Sequence, residues 1–171
     1  MITKWNFQTP TEEELHKRDR LASQLGLSPV VCLLLVQRGL TTVEEVKKFF
    51  KPSLNDLHDP FLMPDMEKAV KRLNKALGNK EKILIYGDYD VDGTTAVSLV
   101  YKYLRPYSSA LDYYIPDRYD EGYGISYKGI NYARENGITL VISLDCGIKA
   151  IEKIEYAKQL GIDFIICDHH M

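Results

Sequence analysis

The sequence predicts an α/β fold, a parallel sheet with helices on both faces, preceded by a small all-helical N-terminal region. Three observations carry this reading. Short apolar runs at Ile83–Tyr86, Leu111–Ile115, Leu140–Leu144 and Phe164–Cys167 alternate with helix-length amphipathic segments near 94–105, 126–136 and 148–160. All twelve tyrosines fall between Tyr86 and Tyr156, and the first 80 residues hold none, so the composition changes there. The N-terminal stretch carries three helix-start signals in succession.

The elements follow in order. Thr11-Glu12-Glu13-Glu14 has the spacing of a capping box, with Leu15, Leu21, Ala22 and Leu25 on one face behind it. Ser28-Pro29 pairs an N-cap with proline at the first helical position, and Gly39 can end that helix. Thr42 and Glu45 cap a third helix, stopped by Pro52. Residues 52–64 hold three prolines and read as a connector. Met66, Ala69, Val70, Leu73 and Leu77 recur at helical spacing before Gly78-Asn79. The domain boundary is accordingly expected at 64/65, with a helical region and connector over 1–64 and an α/β domain over 65–171.

Composition excludes several classes. Apolar residues make up 45% and charged residues 27%, an ordinary globular balance. Three scattered cysteines do not make a disulfide scaffold, which points to a reducing, cytoplasmic setting. The longest apolar run, Val30–Val36, is seven residues and too short to span a bilayer, so no membrane is expected. The first twenty residues are strongly polar and hold no signal-peptide core. The net charge of −2 combines +3 over residues 1–80 with −5 over 81–171. Net charge therefore lends nothing to nucleic-acid binding, and the acid of the second half needs its own explanation.

Each expected strand is followed at once by acid. Asp88, Asp90 and Asp92 follow the first, Asp117 the second, Asp145 the third, and Asp168 with His169 and His170 the fourth. In an open parallel sheet the carboxyl ends of the strands form one rim, where ligands bind. Carboxylates gathered there repel unless a cation sits among them. Oxygen ligands with one or two imidazoles suit Mn²⁺ or Mg²⁺. Asp117, Asp120 and Asp163 read as turn or capping residues. Asp88, Asp90 and Asp92, three carboxylates in five residues, do not. An EF-hand is rejected because its twelfth position is Leu99 and a strand precedes the motif. A dinucleotide site is rejected because aspartates stand between Gly87 and Gly93, where pyrophosphate would lie. Cys146 and Cys167 read as small buried residues, and His16, Asp56 and His58 as surface or capping residues. Thr94 and Thr95, where a helix is expected to begin after Gly93, offer amides and hydroxyls to an anion, with a plain N-cap as the alternative. Arg118 is a candidate phosphate contact, with Tyr119 and Tyr123 as faces for base stacking, and a surface loop is the alternative.

These residues together resemble a known family. Ile83 through Gly93, reading Ile-Leu-Ile-Tyr-Gly-Asp-Tyr-Asp-Val-Asp-Gly, is similar to the first motif of the DHH phosphoesterases. Leu144-Asp145-Cys146-Gly147 resembles the second motif and Asp168-His169-His170 the third. Ile115-Pro116-Asp117-Arg118, Glu121-Gly122-Tyr123-Gly124 and the connector Asp56–Phe61 are similar to the single-strand-specific exonuclease branch. The resemblance implies a DHH-type Rossmann-like domain and a hydrolase that uses two Mn²⁺ or Mg²⁺ ions to cut single-stranded DNA in the 5′→3′ direction, in DNA repair and recombination. It implies Asp90 and Asp92 as ligands of the two ions, Asp145 as their bridge and His169 as a further ligand. Asp88 and His170 would line the site and touch metal, water or phosphate. A single-strand-binding protein and a helicase are the protein partners it implies. Small-molecule members often carry histidine four residues before the first metal aspartate, where this chain has Tyr86. A fourth Asp-bearing motif and a DHHA1-type domain normally follow. The resemblance thus makes this chain an N-terminal catalytic segment, truncated at its third motif and inactive by itself. Such a piece is expected to hold at most one weakly bound ion and to have a disordered or displaced tail over Asp168–Met171. One alternative is a DHH phosphodiesterase acting on short oligonucleotides or cyclic dinucleotides, disfavoured by the helical region and the Glu121–Gly124 loop. The other is a non-catalytic replication scaffold, disfavoured by the retained carboxylates.

Overall fold

The computed structural model describes residues 9–170. The chain forms two compact units, Met1–Asp59 and Pro60–Met171. The first holds α1 (Glu12–Leu25), α2 (Pro29–Gln37) and α3 (Val43–Phe50). Local chemistry sets their ends. Thr11 with Glu14 and Thr42 with Glu45 form complete capping boxes, and Ser28 caps α2 ahead of Pro29. Gly26, at φ 66°, ends α1 in the left-handed conformation that glycine adopts without a Cβ penalty. Leu21, Cys32, Leu35, Val36 and Val46 form the unit's core. Asp56 is a capping residue as expected, accepting from the Ser53 amide at 2.8 Å.

The second unit holds α4 (Met66–Gly78), β1 (Ile83–Gly87), α5 (Val91–Leu104), β2 (Leu111–Tyr114), α6 (Tyr127–Glu135), β3 (Leu140–Leu144), α7 (Ile151–Gln159) and β4 (Asp163–Cys167). The strands are all parallel, in the order β2-β1-β3-β4. Alternation along β1 sends Leu84 and Tyr86 to one face and Ile83 and Ile85 to the other. The first face is covered by Ile130, Ala133, Ile154 and Ala157 of α6 and α7. The second is covered by Leu73, Ala76, Val97 and Leu104 of α4 and α5. Helices thus lie on both faces, as expected for a parallel sheet buried on both sides.

Register positions the site. Gly87 pairs with Leu144, and Leu144 with Cys167, so three adjacent strands end abreast. The next residues are Asp88, Asp145 and Asp168. The chain moves from β1 out to β2 and then back across to β3, so the strand order reverses between β1 and β3. That crevice is where ligands of open α/β sheets bind.

Three expectations need correction. Helix α5 starts at Val91, not after Gly93, because the Asp90 side chain caps it by accepting from the Gly93 amide at 2.9 Å. Gly93 therefore lies inside the first turn, where its lack of a side chain lets α5 touch the backbone of Asp88. Asp163 is neither a turn nor a cap: it opens β4 and pairs with Arg72 at 2.6 Å. Cys167 is exposed, because β4 is an edge strand, whereas Cys146 is buried as expected. No helix among the described residues is long and apolar enough to cross a membrane.

Candidate active site

Asp145, His169 and His170 each offer one ligand atom, and these atoms lie within 4.8 Å of one another. The loops after β3 and β4 make this possible. Asp145 sits at φ 61°, a left-handed conformation that most residues with a side chain avoid and that Asp and Asn adopt at lower cost. Its amide still donates to the Cys167 carbonyl at 2.8 Å, so the strained residue is anchored to the neighbouring strand. Strain held this way aims a side chain that an ordinary turn would point elsewhere.

The histidines have different partners. His169 Nε2 lies 3.1 Å from Asp145 Oδ1. His170 Nδ1 lies 2.7 Å from Asp168 Oδ1. Asp168 also accepts from the amides of Ile148, at 2.9 Å, and His170, at 3.1 Å. Burial disfavours its charge, but these hydrogen bonds outweigh burial and hold its carboxyl below the ordinary value. The bond to Asp168 in turn pushes the His170 imidazole up. Asp168 therefore fixes the ring of His170 and leaves Nε2 to face outward, the way outer-shell carboxylates orient ligand histidines. Asp168 thus ties the tail to the loop after β3, against the expected displacement, while His169 and His170 remain exposed. Met171 lies outside the described residues.

The aspartates after β1 divide their roles. Asp88 is fully buried and accepts from the amides of Tyr89, at 2.6 Å, and Gly124, at 3.2 Å. Burial nevertheless pushes its carboxyl up. Asp90 is the N-cap of α5, the role set aside for this motif in favour of metal binding. Capping engages only Oδ1, and a carboxylate has a second oxygen. Asp92 is exposed on the first turn of α5. Asp88, Asp90 and Asp145 all act on Tyr123, whose hydroxyl is pushed up to about 12 first by burial and then by these charges. Asp88, Asp168, Asp145 and Asp90 likewise act on the Cys146 thiol. Topology thus gathers acids separated by 80 residues in the sequence.

The substrate candidates are placed as follows. The amide of Thr94 donates to the Asp90 carbonyl at 3.0 Å and its hydroxyl to the same oxygen at 2.7 Å, so both are spent within the helix. Thr95 is exposed on α5. Arg118 stacks over the Tyr89 ring, 5.3 Å from its centroid. Tyr123 meets Tyr89 edge-on at 5.9 Å and His170 edge-on at 6.1 Å. A continuous run from Arg118 through Tyr89 and Tyr123 thus reaches the histidine pair.

Sequence reasoning placed Asp168 at the rim and Glu121 in a family-like loop without giving either a role, and it missed Tyr89. The role of Asp168 was signalled by its position immediately before the candidate ligand His169. Glu121 was signalled by Tyr114, a strand residue whose hydroxyl needs a partner once it is partly buried.

The donor set fits a hard divalent cation, with a carboxylate and two imidazoles converging and further carboxylates beside them. A parallel sheet whose third motif delivers Asp-His-His to the rim defines a class, and comparison identifies it. Residues 82–171 match the DHH family, N-terminal domain, and the chain belongs to that family. It is 41% identical over 167 residues to the single-stranded-DNA-specific exonuclease RecJ of Bacillus subtilis, covering 98% of this chain and 21% of that protein. It is 33% identical over 147 residues to the same-named exonuclease of Escherichia coli, covering 85% of this chain and 25% of that one. A crystal structure of exonuclease RecJ bound to manganese matches 64% of this chain and 29% of its own, at 29% identity and a TM-score of 0.58. RecJ from Thermus thermophilus, in complex with Mn²⁺, matches 92% of this chain and 21% of its own, with a TM-score of 0.66. At 23% identity that second likeness supports the fold. The chain spans between a fifth and a quarter of the length of these two curated relatives.

Proposed function

We propose that this chain is the N-terminal catalytic segment of a metal-dependent exonuclease that hydrolyses single-stranded DNA in the 5′→3′ direction. One observation carries the reading: register sets Asp145 beside the Asp168-His169-His170 motif, at the point where the strand order reverses. The relatives named above, whose names specify single-stranded DNA, and the matched RecJ structure bound to manganese support the same reading. We assign Asp90, Asp92, Asp145 and His169 as ligands for two Mn²⁺ or Mg²⁺ ions, with His170 and Asp88 lining the site. Held by these residues, two such ions would supply activation of a water and charge neutralisation at the leaving oxygen of an in-line displacement. The chain's own residues do the rest. Asp168 holds His170 in one orientation. Arg118, stacked on Tyr89, engages a backbone phosphate, and Tyr123 offers a face to the adjoining base. Thr95 and Thr94 border the strand on the α5 side. A single-strand-binding protein and a helicase are the partners that would keep such an enzyme supplied with single strand, in the cytoplasm.

The test is nucleotide release from 5′-labelled DNA by the full-length chain with Mn²⁺. Degradation of the single strand but not of blunt duplex is expected, and equal rates on both would reject the strand assignment. Arg118→Ala should weaken single-strand binding and reduce the slope of log affinity against log salt by about 0.7, the share of one phosphate contact in a single strand. Unchanged binding across the salt series would reject that contact. Metal can be tested on this chain directly. Mn²⁺ at about one hundred times its dissociation constant should stabilise the fold by about 2.7 kcal/mol. Asp145→Asn should abolish that gain in a thermal unfolding assay, and an undiminished gain would place the ion elsewhere.

A further inference from the structure

The loop between β2 and α6 brings Arg118 and Tyr123 to the carboxylate rim, yet a chain segment of this kind has no ladder to hold it. Asp117 closes the loop's first turn, its side chain accepting from the Tyr119 and Asp120 amides, and Glu121 ties the loop to the sheet and to α6. The carboxylate of Glu121 accepts from the Asp117 amide at 2.9 Å and from the Tyr114 hydroxyl at 2.9 and 3.0 Å. It also accepts from the hydroxyl of Ser126. Ser126 is buried, and its hydroxyl oxygen accepts from the Gly129 amide at 2.8 Å, so the network is tied to the start of α6. The Ser126 amide donates to the Tyr86 hydroxyl at 3.1 Å, which donates to the Gly124 carbonyl at 3.0 Å. The Gly124 amide donates to buried Asp88. The Tyr86 and Tyr114 rings stack beneath the loop, with centroids 5.4 Å apart. Each member of this chain of bonds has its partner, the condition under which a buried polar network rigidifies rather than weakens a structure.

We infer that Glu121 is a positioning residue: it holds the 117–126 loop in the one shape that sets Arg118 over Tyr89 and Tyr123 against His170. This inference rests on the reading of Arg118 as a phosphate contact. Glu121 acts through that arginine and through Tyr123, and its carboxylate is taken up by donors within the protein. It points into the protein, away from DNA, and a negative charge there contributes nothing directly to binding a polyanion. Its effect comes from preorganisation, because a loop already ordered does not lose that freedom when the strand binds.

The experiment has two arms, both on the full-length chain with Mn²⁺ and single-stranded DNA. The first reads amide hydrogen exchange. In Glu121→Ala the amides of Asp117, Gly122, Gly124 and Ser126 should lose protection, while those of β1 and α5 keep it. Unchanged loop protection overturns the inference whatever the kinetics show. The second arm is a kinetic cycle with Arg118. Glu121→Ala should raise KM about tenfold with kcat within about twofold, and Glu121→Gln should restore most of the loss, since its carbonyl still accepts and hydroxyls can reverse. The Arg118→Ala, Glu121→Ala double variant should lose clearly less than the two single losses summed, because the part of the Glu121 effect that runs through Arg118 has nothing to add once that arginine is gone. Additive losses, or a fall in kcat at constant KM, overturn the inference. If Arg118→Ala leaves KM unchanged while Glu121→Ala loosens the loop, the phosphate contact fails and the positioning of the loop stands. Should the alanine variant not fold, Tyr114→Phe takes its place, since it removes one donor to the carboxylate and keeps the ring stack, and the same signature is expected at smaller size.

Discussion

Asp145→Gly is expected to leave the fold within about 1 kcal/mol of its original stability while lowering turnover by at least about 10³-fold, some 4 kcal/mol of barrier. The two effects separate because the residue is strained. Its φ of 61° disfavours a side chain by up to about 1–2 kcal/mol, less for Asp and Asn than for other residues, and glycine removes that cost. Glycine also gives the unfolded chain more freedom, which offsets the gain by about 0.4–1 kcal/mol. The contact with His169 adds little to stability, because that ring is largely exposed. The carboxylate, however, is the one acid among the three groups that converge as ligands, and the neighbouring Asp168 is already engaged with His170. Asp145→Asn, which tolerates the same backbone and keeps the shape, should lose activity as well. Urea unfolding and Mn²⁺-dependent hydrolysis of single-stranded DNA by the full-length chain measure the two quantities. Near-normal turnover in either variant sinks the metal assignment. A glycine variant much less stable than its parent removes the argument from strain.

Gly93→Ala should have the largest effect on stability, a loss of about 3 kcal/mol. Ordinarily alanine gains up to about 1 kcal/mol over glycine inside a helix. Here a Cβ would stand 2.5 Å from the Asp88 amide nitrogen and 2.6 Å from its carbonyl oxygen. Those are backbone atoms of a residue at the end of a central strand, so they cannot swing aside like a flexible side chain. Overpacking of this kind costs about 1–3 kcal/mol, sometimes more, and the propensity gain is small beside it. Relief would require α5 to move off β1, taking Asp90 and Asp92 with it. Urea unfolding and Mn²⁺ affinity should therefore fall together. A variant as stable as its parent would show that the contact of α5 with β1 is softer than the spacing implies.

Local chemistry is readable in the letters wherever a few neighbouring residues decide the outcome. Thr11 with Glu14 and Thr42 with Glu45 satisfy each other's amides within one turn, so their helix starts need no knowledge of the rest of the chain. The apolar runs of β1 and β3 announce strands covered on both faces, and all five residues of each are buried. The start of α5 is misleading in the letters because glycine usually breaks a helix, whereas here the Asp90 cap and the close approach to Asp88 override propensity. Cys167 is misleading because apolar letters do not say whether a strand is central or at an edge.

By itself, then, the sequence determined that acids and histidines follow the strands of a parallel sheet, and hence that they share one rim. Only the tertiary structure decided which of them meet and in what role. Pairing register set Asp88, Asp145 and Asp168 abreast. A left-handed backbone turned Asp145 toward the histidines. Burial made Asp88 an anchor for Gly124 and Asp168 the support of His170. Glu121, which reads in the sequence as one more loop acid, became the centre of a network because Tyr114 and Ser126 reach it. The physical reason is the same in each case. A carboxylate's role follows from the donors and charges that surround it, and those come from segments distant in the chain, brought together only when the sheet is paired.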